Sequence, residues 1–283
     1  GLDGSPAQKG TASGLASLDA QSRVVQSAKT LKDADSDTGI QVEESADEDI
    51  IRMDVAGVEA FLLSDAGILT LVKQSACYAW ANAAQVIPES GTSQPRIVLD
   101  QEVSDHQNEF DSTLKTGTAD GNVLNHLQDD TSSQFTADDV GAWVLNTTDN
   151  TYGKVTAFND AGDVTLDGDT FPDGNENYKL YRAKYTVTED GTYLIIGNIR
   201  WKSGLVIDQV YYGSIIRKNG SQLSQAGTAA SGTAAMNSLC IAVTQLSAND
   251  IITLAVTNAS GGASATLDGG NNWRTFFVVA KLY

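Results

Sequence analysis

Tyr185-Thr-Val-Thr-Glu-Asp-Gly191-Thr-Tyr193-Leu-Ile-Ile196 decides how this chain is read. It is an extended, β-branched and aromatic segment broken by Glu-Asp-Gly and resumed at once by an apolar strand. Working outward, Ile215-Ile-Arg-Lys-Asn219-Gly220 reads as a strand entering a Lys-Asn-Gly hairpin. Leu246-Ser-Ala-Asn-Asp250-Ile-Ile-Thr-Leu254 is a turn followed by a strand, and Phe276-Phe-Val-Val-Ala-Lys-Leu282 is an aromatic-rich closing strand. Together these elements predict an all-β head.

Their order and spacing resemble the tumour-necrosis-factor-like jelly roll, the fold of the globular head of complement's first component. The resemblance implies a homotrimer that displays loops for binding. Upstream, Cys77-Tyr-Ala-Trp-Ala-Asn-Ala-Ala-Gln-Val-Ile87 alternates like a strand and Pro88-Glu-Ser-Gly91 supplies its turn, so the head is expected to span 75–283. Arg96-Ile-Val-Leu-Asp100 and Asp105-His-Gln-Asn-Glu-Phe-Asp111 look like the early strand and loop of phage-borne heads of this kind. The next expected element arrives only at Tyr185. Residues 116–183 therefore read as an inserted small β module, with runs at Trp143-Val-Leu-Asn146, Gly153-Lys-Val-Thr-Ala-Phe158, Asp163-Val-Thr-Leu166 and Tyr178-Lys-Leu-Tyr181. A surface loop tolerates such an insertion when its ends stay close, so the head is expected to close without it.

Residues 1–39 are rich in Gly, Ala, Ser, Asp and Thr and bury no core alone. The stretch Gly14-Leu-Ala-Ser-Leu-Asp19 resembles N-terminal segments of tailed-phage fibre and collar proteins, which implies a virion anchor ordered by a second virion structural protein. Residues 40–74 alternate apolar pairs such as Ile50-Ile51, Leu62-Leu63 and Ile68-Leu69 with Asp/Gly turns. They resemble the β stalk of phage fibres, in which three chains share one core; a pair of ordinary hairpins is the alternative.

The formal charge of −18 is uneven. Residues 1–73 hold thirteen acidic against six basic side chains and 98–190 hold nineteen against five, whereas 191–283 hold three against six. No basic stripe is available for phosphates, which excludes nucleic acid as a partner. No apolar run has the length of a membrane helix, and Gly1-Leu-Asp-Gly-Ser5 lacks a signal-peptide pattern. Cys77 and Cys240 lie in apolar runs without metal-ligand spacing and read as buried free thiols, a disulfide being the alternative.

Catalytic motifs are weak. His106 and His126 stand in polar, loop-like surroundings outside any nucleophile motif. The acidic run from Asp163 through Asp167, Asp169 and Asp173 to Glu176 departs from the helix-loop-helix calcium pattern and reads as turns. No enzyme, metal or cofactor is expected. Two runs of small residues, 224–236 and 258–272, cannot pack a core and are read as surface loops. Within them Ala226, Gly227, Thr228, Ser231, Gly232, Ser260, Gly261, Gly262, Asp268 and Asn271 are the candidate receptor contacts for a host-surface glycan or protein. Trp201, Trp273, Tyr211 and Tyr212 are the candidates for stacking on sugar rings. The sequence thus predicts a trimeric virion fibre or spike, with a secreted bacterial binding trimer and a polysaccharide-degrading tailspike as alternatives.

Overall fold

The computed structural model describes residues 30–32, 35, 37–42, 50–71, 74–87, 94–204, 206, 210–260 and 263–283. Most of residues 1–39, the segment expected to be an anchor, and Gly261 and Gly262 lie outside the described residues. The protein is all-β: among the described residues the one helical element is a 3-10 turn at Ala137–Asp139. Contacts divide the chain into two units, 1–73 and 74–283.

In the first unit, β1 (Thr30–Lys32), β2 (Gly39–Val42), β3 (Ile51–Val55), β4 (Val58–Leu63) and β5 (Leu69–Thr70) form an antiparallel meander in chain order. Ala56 and Gly57, at φ 51° and 72°, make the two-residue turn that joins β3 to β4, a geometry that glycine adopts without penalty. Cross-strand register places Ile40, Met53 and Phe61 in one row and Ile51, Leu63 and Leu69 in the next. The opposite face carries the Arg52–Glu59 ion pair at 3.1 Å and the Gln41–Asp54 hydrogen bond at 2.9 Å. None of the unit's described residues is buried. The described residues read as stalk thus form one amphipathic sheet whose apolar face none of the unit's other described residues buries.

The second unit continues with β6 (Ala76–Trp80), β7 (Gln85–Ile87), β8 (Gln101–Asp105), β9 (Phe110–Asp111), β10 (Leu114–Thr118), β11 (His126–Gln128), β12 (Trp143–Asn146), β13 (Thr151–Asp160), β14 (Asp163–Leu166), β15 (Asn177–Tyr181), β16 (Lys184–Thr186), β17 (Gly191–Trp201), β18 (Tyr211–Lys218), β19 (Ser221–Ala229), β20 (Met236–Leu246), β21 (Ile251–Asn258), β22 (Ala265–Leu267) and β23 (Phe276–Lys281). One sheet runs β7-β22-β17-β23-β6-β8, with β20 pairing the free side of β17; the other runs β19-β18-β21-β16-β9. Neighbours distant in sequence mark crossover connections, and the result is a jelly-roll-like antiparallel sandwich. Its core is filled by Tyr193, Ile195, Trp201, Phe277 and Val279 from the first sheet and Tyr185, Tyr212, Ile216, Ile252 and Leu254 from the second. Cys77 and Cys240 are free and buried in it.

Strands β10 to β15 form a separate six-stranded sheet in the order β10-β15-β12-β13-β14-β11, around a core of their own that includes Leu127, Phe135, Val144, Val164, Phe171 and Leu180. Its two ends are neighbours, since Leu114 opposes Tyr181 and, just outside, Phe110 opposes Tyr185. The insert is nonetheless not self-contained. Leu145 and Tyr181 belong to the head's core and Leu114, Trp143 and Tyr152 pack against it. Tyr152 donates to the Val86 carbonyl at 2.9 Å, and Tyr181 to that of Arg96 at 2.7 Å. The expectation that the head closes without residues 116–183 is therefore revised: the insert supplies one wall of the head's core.

Candidate interaction surfaces

An antiparallel strand with one wet face alternates apolar and polar residues. β6, β17, β20 and β23 do not: Cys77-Tyr-Ala-Trp80, Tyr193-Leu-Ile-Ile196, Leu239-Cys-Ile-Ala-Val243 and Phe276-Phe-Val-Val-Ala280 are apolar throughout. Half of each run faces the core. The register aligns the other half into three rows across the outside of the sheet: Val243-Leu194-Ala280-Ala76, Ile241-Ile196-Val278-Tyr78 and Leu239-Asn198-Phe276-Trp80. Of their polar groups, the Asn198 amide is spent on the Arg274 carbonyl and the Tyr78 hydroxyl on the Asn272 carbonyl. Leu239, Ile241 and Val243 are 49%, 51% and 62% exposed. With strands about 4.8 Å apart and outward positions about 7 Å apart, the Cα atoms of this face span about 14 Å by 14 Å. Contiguous apolar faces of this kind mark association surfaces.

The small-residue candidates are dispersed by the fold. Ala226, Gly227 and Thr228 are not loop residues; they lie in β19, paired with Ser214, Gly213 and Tyr212. Sequence periodicity missed this strand because Ser221–Ala229 has almost no apolar side chains to alternate. The Tyr211 ring lies over Gly227, where an added Cβ would stand 2.2 Å from Tyr211 Cζ, so Gly227 is there to admit that ring. Ser231 and Gly232 are exposed on the β19–β20 turn, while Ser260 is half-buried and its hydroxyl donates to the Ala263 carbonyl. Of the stacking candidates, Trp201 and Tyr212 are core residues, and Tyr211 and Trp273 reach solvent.

Asp268 and Asn271 belong to a different arrangement, which joins β17 to the β22–β23 loop. Asp268 Oδ1 accepts from Arg274 Nη1 at 2.9 Å, and Asp268 Oδ2 lies 3.4 Å from Arg200 Nε. The guanidinium carbons of Arg200 and Arg274 lie 5.0 and 5.2 Å from the centre of the Trp273 ring, which is 56% exposed. Asn271 is exposed beside them, its carbonyl accepting from Arg274 N at 3.2 Å. Asp268 thus holds two arginines and Asn271 braces the loop. The two arginines were not foreseen, because residues 200 and 274 meet only through the β17–β23 pairing.

A cleft of about 640 Å³ is lined by Glu102, Asn108, Glu109, Asp111, Arg182 and Lys184. Glu109 on its wall is buried and accepts hydrogen bonds from the hydroxyls of Ser75 at 2.8 Å and Thr188 at 2.6 Å, while Tyr185 meets Ser75. Burial, reinforced by the Glu109 carboxylate, pushes the Tyr185 phenol far above its usual range. Ser75 is itself buried, and its hydroxyl is held between the Glu109 carboxylate and the Tyr185 phenol. Beside the cleft, Asp139 accepts from Lys115 at 2.5 Å and from Arg182 at 2.9 Å. Burial alone would raise its carboxyl, but hydrogen bonds from Lys115, Thr136 and Arg182 outweigh it and hold the group below its ordinary range. His126 Nδ1 meets Asp163 at 2.8 Å on the surface of the insert, with Asn159 as its other neighbour. Among the described residues no three His, Cys, Asp or Glu side chains cluster as metal ligands. In the acidic run, Asp167 accepts from Lys154 N at 2.7 Å and Glu176 from Asn146 at 2.8 Å, the work of turn residues. No protein-family model matches this sequence, and no curated protein is similar enough to it to count as a relative.

Proposed function

We propose that this chain is a homotrimeric virion structural protein, a fibre or spike whose jelly-roll head, of the tumour-necrosis-factor type, serves attachment to a host surface. The observation that carries the reading is the apolar outer face of the β6-β23-β17-β20 sheet. The apolar face of the β1–β5 meander adds to it. Each unit taken by itself has an apolar sheet face among its described residues, and cyclic symmetry is the usual way in which copies of one chain cover such a face. The electrostatics favour the head as the contacting part, since residues 191–283 carry three acidic and six basic side chains while the remainder is strongly acidic and is repelled by anionic cell surfaces.

Light scattering of the full chain tests the assembly: the expected mass is three times 29.8 kDa. A monomer at micromolar concentration removes the basis of the reading. Mass spectrometry of purified particles tests the virion assignment, with this chain expected among the particle proteins.

A further inference from the structure

Arg200, Trp273 and Arg274 sit at the end of β17 opposite to the one where the chain enters the sandwich. Gln74 Nε2 donates to the Lys281 carbonyl at 2.8 Å and Thr192 N to the Tyr283 carbonyl at 2.9 Å, so entry is at the start of β17. Arg200 lies eight residues further along that strand, about 27 Å away. On the outward side of β17 it is the position after Asn198, just beyond the last apolar row. The cluster therefore lies at the rim of the association face and not within it.

Three features of the cluster point to a ligand. Trp273 is the most exposed aromatic side chain of the head apart from Tyr283, even though the guanidiniums of Arg200 and Arg274 lie over its ring. Arg274 spends Nη1 on Asp268 and Gly269, and Arg200 meets Asp268 only through Nε, which leaves three Nη groups outside these bonds. One carboxylate against two guanidiniums leaves a net positive charge in an otherwise acidic protein. The part of the indole that the two guanidiniums leave open, next to their unspent Nη groups, is complementary to a ring that bears a carboxylate: the ring lies against the open indole surface and the carboxylate takes the Nη groups.

We propose that Trp273, Arg200 and Arg274 form a binding site for a carboxylate-bearing sugar, with Asp268 as the positioning residue that holds both guanidiniums beside the indole. The proposal rests on the attachment reading for its biological role and on the cluster alone for its chemistry.

The test titrates the full chain with methyl glucuronide and, separately, methyl glucoside, following tryptophan fluorescence and the indole N–H resonances, with light scattering on the same samples. The glucuronide is expected to bind at least tenfold more tightly than the glucoside and to shift the exposed Trp273. Trp273→Ala should abolish both. Arg274→Gln should remove most of the preference for the glucuronide, and Asp268→Asn should weaken glucuronide binding while Trp273 still responds. Absence of glucuronide binding, equal affinity for the two sugars, or glucuronide binding that survives Trp273→Ala overturns the proposal. A trimer that binds neither sugar refutes this site alone, and a monomer that binds glucuronide refutes the assembly alone.

Discussion

Replacing Ile241 separates a surface residue from an interface residue. In a single chain Ile241 is 51% exposed on the outer face, opposite Ile196. If that face meets only water, substitution leaves stability within about 0.5 kcal/mol of wild type. If it is covered by another copy, the exposed half of the side chain is buried on assembly. Full burial of an isoleucine side chain is worth about 1.5–3 kcal/mol, so the remaining half is worth about 1 kcal/mol per chain. Three copies make this about 3 kcal/mol per trimer, near a hundredfold in its dissociation constant for Ile241→Ala. Ile241→Asp adds the desolvation of three carboxylates and should abolish the trimer at micromolar concentration. Sedimentation velocity reads the mass, and far-ultraviolet circular dichroism checks that the strands persist. A trimer of unchanged affinity in Ile241→Asp would show that this face is not the contact.

Deleting residues 116–183 should destabilise the head severely, because Leu145, Tyr152 and Tyr181 leave its wall together, at about 1.5–3 kcal/mol for each side chain; a deletion variant with wild-type Tm would refute the shared core. Asp139→Asn should cost on the order of 3 kcal/mol at neutral pH by leaving Lys115 and Arg182 without their carboxylate. Because the folded carboxyl lies below its ordinary value of 3.8, its contribution is complete above that pH and fades as pH falls through the folded value, so urea midpoints of wild type and variant should converge in that acid range. Cys77 and Cys240, whose thiols burial pushes up, should resist a thiol reagent in the native state and react together on unfolding; rapid labelling of either would contradict their burial.

The strands that were legible in the sequence are those whose residues announce a face. Tyr193–Ile196, Ile215–Ile216, Ile251–Leu254 and Phe276–Val279 are apolar enough to have been read as strands of one head, and they are the centre of both sheets. The insert's Trp143–Asn146, Asp163–Leu166 and Asn177–Tyr181 were visible by the same logic. Ser221–Ala229 was not, since a strand of Ser, Gln, Gly, Thr and Ala carries no period. The missing alternation in Phe276–Ala280 and Leu239–Val243 is itself a signal for a sheet apolar on both faces, although it says nothing of what lies on the outer one. Asp268 was picked out as a contact residue and proves to be an anchor for two arginines, an arrangement set by long-range pairing that local spacing does not encode.

The way the insert is attached has a mechanical consequence. The chain leaves the head at Leu114 and returns at Tyr181, directly opposite, while β9 and β16 on the head side are bonded to each other through Phe110–Tyr185 and Asp111–Lys184. Tension arriving from the β8 side passes across that short ladder into β16 and β21 without travelling through the insert. A pull at Gln74 along β6 acts differently, because β6 lies between β23 and β8 and must slide past both, so its bonds are loaded in shear and share the force. The backbone links at the two ends of the insert are therefore bypassed, and force reaches its six strands through the side chains that pack into the head, Leu145, Tyr152 and Tyr181.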